Sequence, residues 1–207
     1  MHDYSIDKHP KEKILFVLVF ITVATAPIIN DLIKELVVRL SASTGWSMPI
    51  VTAIPVFSLF LAIYWLFNKH LWKLQPLRKL LLVPDLNGTW NCQGRTLQKG
   101  GAQIDFPWNG LITINQSWSQ ICIVLETDTS RSHSVAASLF QESTGQFRLI
   151  YHYENKPEAN ATDLARHDGT TEILFDTKCV RGSGHYYADR NRQTSGTLSI
   201  NRDRVDE

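Results

Sequence analysis

Aromatic faces and guanidinium forks gather near the C-terminus, at Tyr186, Tyr187, Arg190, Arg192 and Arg202. A guanidinium meets phosphate oxygens in a bidentate geometry and an aromatic ring stacks on a base, so a small nucleotide-like ligand would use both kinds of group at once. The same stretch has a plainer reading, because ADRNRQTS over residues 188–195 is polar enough to be an exposed hairpin loop. A second group shares one side of a strand-like run: Phe147, Leu149, Tyr151 and Tyr153 alternate with polar neighbours. If that side faces inward, phenol hydroxyls line part of an interior, although tyrosine in β-proteins also commonly points its hydroxyl to solvent.

Catalytic chemistry finds no foothold in the residue pattern. The chain has no GxSxG, no Walker loop, no HExxH and no GxGxxG between a strand and a helix, so no catalytic residue is assigned and the chain is not expected to be an enzyme. Its seven histidines are scattered, leaving His133, His152, His167 and His185 for the polar part of the chain. Three cysteines, Cys92, Cys122 and Cys179, stand at wide spacing without a CxxC, which reads as free buried thiols and assigns no metal site. The net charge of +1 gives no basis for binding DNA or RNA polymers. No cofactor is expected.

The elements that must carry these groups fall into two regions, and a mean hydropathy near zero conceals them. Met48 to Phe67 runs for 20 residues without a charge, which as a helix rises about 30 Å and matches the hydrocarbon core of a bilayer. Tyr64, Trp65 and Trp72 stand at its end, followed by Lys69, His70, Lys73, Arg78 and Lys79. Pro49 falls in its first turn and Pro55 predicts a kink. An earlier apolar run from Ile14 to Ile29 continues into NDLIKELVVRL, where Glu35 and Arg39 are spaced to pair. Pro27 and that charged extension argue against a cleaved signal peptide. The region 1–83 is therefore read as a transmembrane hairpin with spans at about 14–33 and 48–67. Lys8, Lys11 and Lys13 before it and the basic cluster after it flank an uncharged connection, SASTGWS, which places both termini in the cytoplasm.

From residue 84 to 207 the periodicity becomes alternating, with turn residues every eight to twelve positions. Eight strands are expected, over 86–96, 106–116, 119–127, 132–142, 146–154, 169–178, 182–190 and 195–203. Tight connections such as Glu142-Ser143-Thr144-Gly145 favour an antiparallel up-and-down order, and eight strands suit closure into a minimal lipocalin-like barrel whose interior is packed or holds one small ligand.

The order of landmarks resembles the transmembrane β-barrel effectors associated with CD-NTases in bacterial CBASS anti-phage operons. The resemblance rests on Leu86-x-Gly88-x-Trp90, Tyr153-x-Asn155-x-Pro157, His167-x-Gly169, Gly184-x-Tyr186-Tyr187-x-x-Arg190 and Gly196-Thr197-Leu198 before Arg202, all behind a two-span N-terminus. It implies a receptor in the bacterial inner membrane that binds a cyclic di- or trinucleotide from a cognate CD-NTase, oligomerises and disrupts the bilayer, causing cell death. Laid on the matching motifs, residue chemistry suggests Tyr151, Tyr153 and Tyr187 to stack or hydrogen-bond, Asn155 to read a base edge or shape the turn, and Arg190, Arg192 and Arg202 to meet phosphates. Trp90 is included in the ligand set, with a core plug as its alternative. Ser130, Ser132 and Ser134 lie at period two and are expected to face solvent. The competing readings are a membrane-tethered carrier of an apolar molecule and a passive scaffold with a packed interior, with a membrane enzyme behind both.

Overall fold

The computed structural model describes residues 1–7, 9–44, 55–157, 166–190 and 192–202. The chain divides into two compact units, His9–Trp72 and a second formed by Met1–Lys8 together with Lys73–Glu207.

The first unit holds α1 (Lys11–Thr44) and α2 (Val56–Lys69), which pack on each other. α1 is 34 residues long and continuous through Pro27, longer than the span expected over 14–33. Its apolar side chains, among them Phe16, Phe20 and Ile28, are largely exposed, as they are on a helix whose solvent is lipid. Thr22 and Thr25 donate their hydroxyls to Leu18 and Ile21 four residues back, so those polar groups need no water. Arg39 pairs with Glu35 and Lys34 with Asp31 in the extension. Among the described residues α1 is the one helix long and apolar enough to cross a membrane by itself. The first part of the second expected span, the SASTGWS connection beyond residue 44, and Lys8 lie outside the described residues.

In the second unit α3 (Gln75–Leu81) leads into a closed ring of strands. The sequence predicts eight strands and nine are described: β1 (His2–Ile6), β2 (Gly88–Lys99), β3 (Ala102–Gln116), β4 (Gln120–Glu126), β5 (Ser130–Gln141), β6 (Phe147–Pro157), β7 (His167–Phe175), β8 (Arg181–Ala188) and β9 (Thr194–Arg202). β2 to β9 form the expected antiparallel meander, closed by β2 on β9 and by β4 on β5. The addition is β1. A bulge at Val135 shifts the register of β5 between Ser134 and Ala136, and the direct β4–β5 ladder covers only residues 124–126 against 131–133. β1 fills the seam beyond it, antiparallel to β4 and parallel to β5. Ser134 ties the three strands together, bonded to the Ile123 amide at 2.9 Å and to His2 Nε2 at 2.7 Å.

Period-two alternation sends one side of every strand inward, and the inward residues change character along the ring axis. One end is a packed floor in which Leu86, Trp90, Ile114, Ile121, Leu139 and Phe175 are almost wholly buried. Each such side chain contributes roughly 1.5–3 kcal/mol by leaving water. Trp90 plugs this floor, with its indole N–H donating to the Leu86 carbonyl at 3.1 Å and its ring meeting the Phe175 ring at 5.2 Å. Tyr4 of β1 joins the same core, its hydroxyl taking a hydrogen bond from Gln116 Nε2 at 3.0 Å.

Candidate functional site

Following any inward face away from the floor leads to polar and aromatic groups. On β6 the succession is Leu149, Tyr151, Tyr153, Asn155; on β2 it is Trp90, Cys92, Gly94, Thr96; on β9, read backward, it is Ile200, Leu198, Gly196, Thr194. The far half of the ring is consequently a cavity of about 400 Å³, within the usual range of roughly 300–1,000 Å³ for small-ligand pockets.

Two glycines make room for its rings. A Cβ on Gly94 would lie 2.1 Å from the Trp108 indole, and one on Gly169 would lie 2.3 Å from the Tyr153 hydroxyl, so only a bare backbone lets these aromatics lie against the wall. Trp108 and Tyr186 meet edge to face at 5.8 Å. The indole N–H of Trp108 donates to the Tyr186 hydroxyl at 3.3 Å, and that hydroxyl also shares a hydrogen bond with Thr96 at 2.6 Å. On the other wall Tyr151 and Tyr153 stand with ring centres 6.3 Å apart, and His167 meets Tyr153 edge-on. Phe106 adds an exposed ring at the mouth.

The electrostatics are those of a mostly neutral pocket. Burial pushes the Tyr151 phenol well above its usual range, opposed by a hydrogen bond with Thr171, and burial likewise pushes up Tyr153, opposed by the Arg192 charge. Both phenols therefore stay protonated near neutral pH and keep an O–H to donate. Burial also drives the Cys92 thiol up to about 12, which leaves it unreactive. Among the described residues the lining carries one guanidinium, Arg192, and one carboxylate, Asp128, amid a row of hydroxyls that includes Ser130 and Ser132. Asn155 is 8 % exposed; its Nδ2 donates to Ser130 Oγ at 3.1 Å, while its Oδ1 is buried without a hydrogen-bond partner among the described residues. A buried acceptor left in this state favours any ligand N–H that reaches it.

Of the residues singled out from the sequence, Tyr151, Tyr153, Asn155 and Arg192 line this cavity. Trp90, Tyr187, Arg190 and Arg202 are not brought to it. Trp90 lies in the floor, and Arg202 folds its guanidinium over the Trp90 ring at 4.7 Å while donating to the carbonyls of Asp85 and Asn87. Tyr187 is on the outer face, 53 % exposed, and Arg190 is exposed in the β8–β9 turn. On β8 the inward positions are Gly182, Gly184 and Tyr186, so the strand's inner face carries too little hydrophobicity to be read by alternation. Ser132 and Ser134, expected to face solvent, are buried, and Ser130 and Ser132 contribute hydroxyls to the lining. Trp108, Thr96 and Asp128 were not legible as site residues; the glycine opposite Trp108 is the one trace of them in the sequence.

Comparison with known proteins bears on both units. Residues 81–202 match the family described as Cap15, cyclic dinucleotide receptor domain, and residues 12–73 match the one described as Cap15, TM helices. The chain is also similar to CD-NTase-associated protein 15 of Yersinia aleksiciae, 35% identical over 144 residues that make up 70% of this chain and 67% of that protein.

Proposed function

The chain belongs to the Cap15 family, and on that premise we propose that it is a CBASS effector whose closed sheet binds a cyclic dinucleotide in the cavity just described. The observation that carries the reading is the inward face of β6, where Tyr151, Tyr153 and Asn155 offer ring faces, protonated hydroxyls and an unpartnered amide oxygen within one half-open interior. Base-bearing ligands use π faces and amide groups, and phosphates use a guanidinium and hydroxyl donors. In this reading Tyr153, Trp108, Tyr186 and Phe106 form walls for the bases, Asn155 meets a base edge, and Arg192 with Ser130 and Ser132 meets the phosphodiesters. An apolar-molecule carrier is less well served, since its ligand would leave Asn155 and Arg192 buried against hydrocarbon.

The membrane part acts when the ligand favours an assembled state. The proposed sequence of events is binding, oligomerisation through the membrane helices, and disruption of the inner membrane. To move the assembly from one molecule in a hundred to ninety-nine in a hundred, the ligand must prefer the assembled state by about ten-thousandfold. That β1 shares one sheet with β2–β9 supports a topology in which the chain leaves for the membrane after β1 and returns to the same side before β2. With the lysines that flank the apolar segments, this reading places both termini in the cytoplasm, on two crossings.

Calorimetric titration of the full-length protein in nanodiscs, with a panel of cyclic di- and trinucleotides, tests the binding step. The expected result is micromolar or tighter binding of one dinucleotide, weakened at least tenfold by Arg192→Ala or Asn155→Ala. A folded protein that binds no panel member, or one whose affinity both substitutions leave unchanged, would overturn the assignment of the cavity.

A further inference from the structure

Opposite walls of the cavity offer a ligand different chemistry. Around the ring, β2 reaches β6 through β9, β8 and β7 one way and through β3, β4 and β5 the other, so the two strands stand on opposite sides of the interior. On the β2 side the polar atoms satisfy one another. Thr96, Gly196 and Tyr186 share one register across β2, β9 and β8, and the glycine between them lacks a side chain, so the Tyr186 hydroxyl meets Thr96 at 2.6 Å. The same hydroxyl takes the Trp108 indole N–H at 3.3 Å. What remains for a ligand on this wall is ring surface, and stacking on a ring tolerates any base. On the β6 side one polar atom is left over. The Asn155 amide is more than nine-tenths buried and its Nδ2 is engaged by Ser130, whose hydroxyl is itself held by Thr127 at 3.2 Å. The amide therefore presents Oδ1, which has no hydrogen-bond partner among the described residues. A ligand N–H that reaches this acceptor relieves a buried unpaired group, whereas a ligand acceptor set against it is rejected.

The charges repeat the imbalance. Arg192 is the one guanidinium of the lining among the described residues, while a cyclic dinucleotide carries two phosphodiesters. We infer that each chain takes one cyclic dinucleotide and treats its halves unequally: the base at Asn155 is selected by its hydrogen-bonding edge, and the base against Trp108 and Tyr186 is held by stacking alone. This rests on the cavity reading given above and adds a rule of selection to it. The halves of a 3′,3′-linked cyclic dinucleotide exchange by a half-turn, so a mixed dimer enters whichever way round sets its preferred base at Asn155. Its affinity is then about half that of the homodimer of that base, which has two equivalent ways in.

Calorimetric titration of the full-length protein in nanodiscs with the 3′,3′-linked homodimers of AMP, GMP, CMP and UMP and their mixed dimers tests this. The homodimers are expected to spread at least tenfold in affinity, and every mixed dimer that contains the base of the tightest homodimer to bind within about threefold of it. Saturation is expected at one ligand per chain. Asn155→Ala should shrink the homodimer spread to about threefold or less, whereas Trp108→Phe, which keeps a ring face, should weaken all members by a common factor and preserve their order. The order within the panel does not depend on the folded fraction, so a loss of stability in either variant cannot imitate these results. Mixed dimers midway between their homodimers on a logarithmic scale, or tighter than both, would show that the second base is also selected and would overturn the unequal halves. Homodimers of equal affinity, a spread that survives Asn155→Ala, or saturation at one ligand per two chains would do the same while leaving a cyclic dinucleotide receptor in place. Binding of no panel member by the folded protein would overturn the cavity assignment and the selection rule together.

Discussion

Tyr186 and Tyr187 are neighbours in the chain, yet the first turns its hydroxyl to Thr96 and Trp108 inside the ring while the second stands on the outer wall. Stacking on an aromatic ring is worth about 1–3 kcal/mol per base, so losing an inward ring should cost roughly tenfold or more in affinity. Tyr186→Ala is therefore expected to weaken cyclic dinucleotide binding at least tenfold in a titration, and Tyr187→Ala by less than about twofold. The reverse order would mean that the ligand binds outside the cavity. Gly94 acts at the same scale through its missing side chain. Gly94→Ala forces the Trp108 indole aside and is expected to lower stability by about 1–3 kcal/mol, read as a drop in the melting temperature.

Among the elements β1 has the largest leverage for its length. Its five residues close a seam that the short β4–β5 ladder leaves open, and Tyr4 plants it in the floor. Tyr4→Ala removes a buried ring and should cost about 3–5 kcal/mol, measured as a lower urea midpoint of the full-length protein. Titration offers a gentler probe. Burial pushes the Tyr4 phenol from its usual 10.0 up to about 12 and the Cys92 thiol from 9.0 to about 12. Above the unfolded values the unfolded chain has lost these protons and the folded chain still holds them, so unfolding gains as pH rises. The stabilisation is complete below pH 9 and is lost between about 9 and 12, each group removing about 1.4 kcal/mol for every pH unit between its unfolded and folded values. Equilibrium unfolding across that range should show this fall, and Tyr4→Phe should make it shallower above pH 10, where Tyr151 and Tyr153, also pushed up by burial, keep a residual slope.

At the scale of the whole molecule, the pairing of β1 with β4 and β5 constrains the membrane topology. On the proposed topology, a chain that starts in the ring at β1 and returns to it after residue 73 crosses the bilayer an even number of times. Epitope tags at the two ends should thus share one fate: both protected in spheroplasts, and both cut by protease in inverted inner-membrane vesicles. Tags with opposite accessibility would show an odd number of crossings and would detach β1 from the ring in the membrane-bound protein.

Run length and periodicity made much of this architecture legible in the sequence. An uncharged apolar run has few soluble solutions, alternation declares a strand with one buried face, and a shared face along 147–155 brings Tyr151, Tyr153 and Asn155 to one cavity wherever the strand pairs. Alternation reports in or out, though, and says nothing of depth along the ring axis. Trp90 and Arg202 are cross-strand partners at the floor, while Thr96 and Thr194 on the same two strands line the cavity, and only the pairing register separates them. The inner face of β8 was hidden because glycines at 182 and 184 have no side chain to reveal its phase. β1 was hidden for a stronger reason: HDYSI has little strand character of its own, and its partners, β4 and β5, lie more than a hundred residues away, where their direct ladder covers only three residue pairs. Local chemistry could name most of the elements and four of the side chains that line the cavity, Tyr151, Tyr153, Asn155 and Arg192; the depth of each group, the phase of β8 and the ninth strand depend on long-range pairing, which only the closed ring supplies.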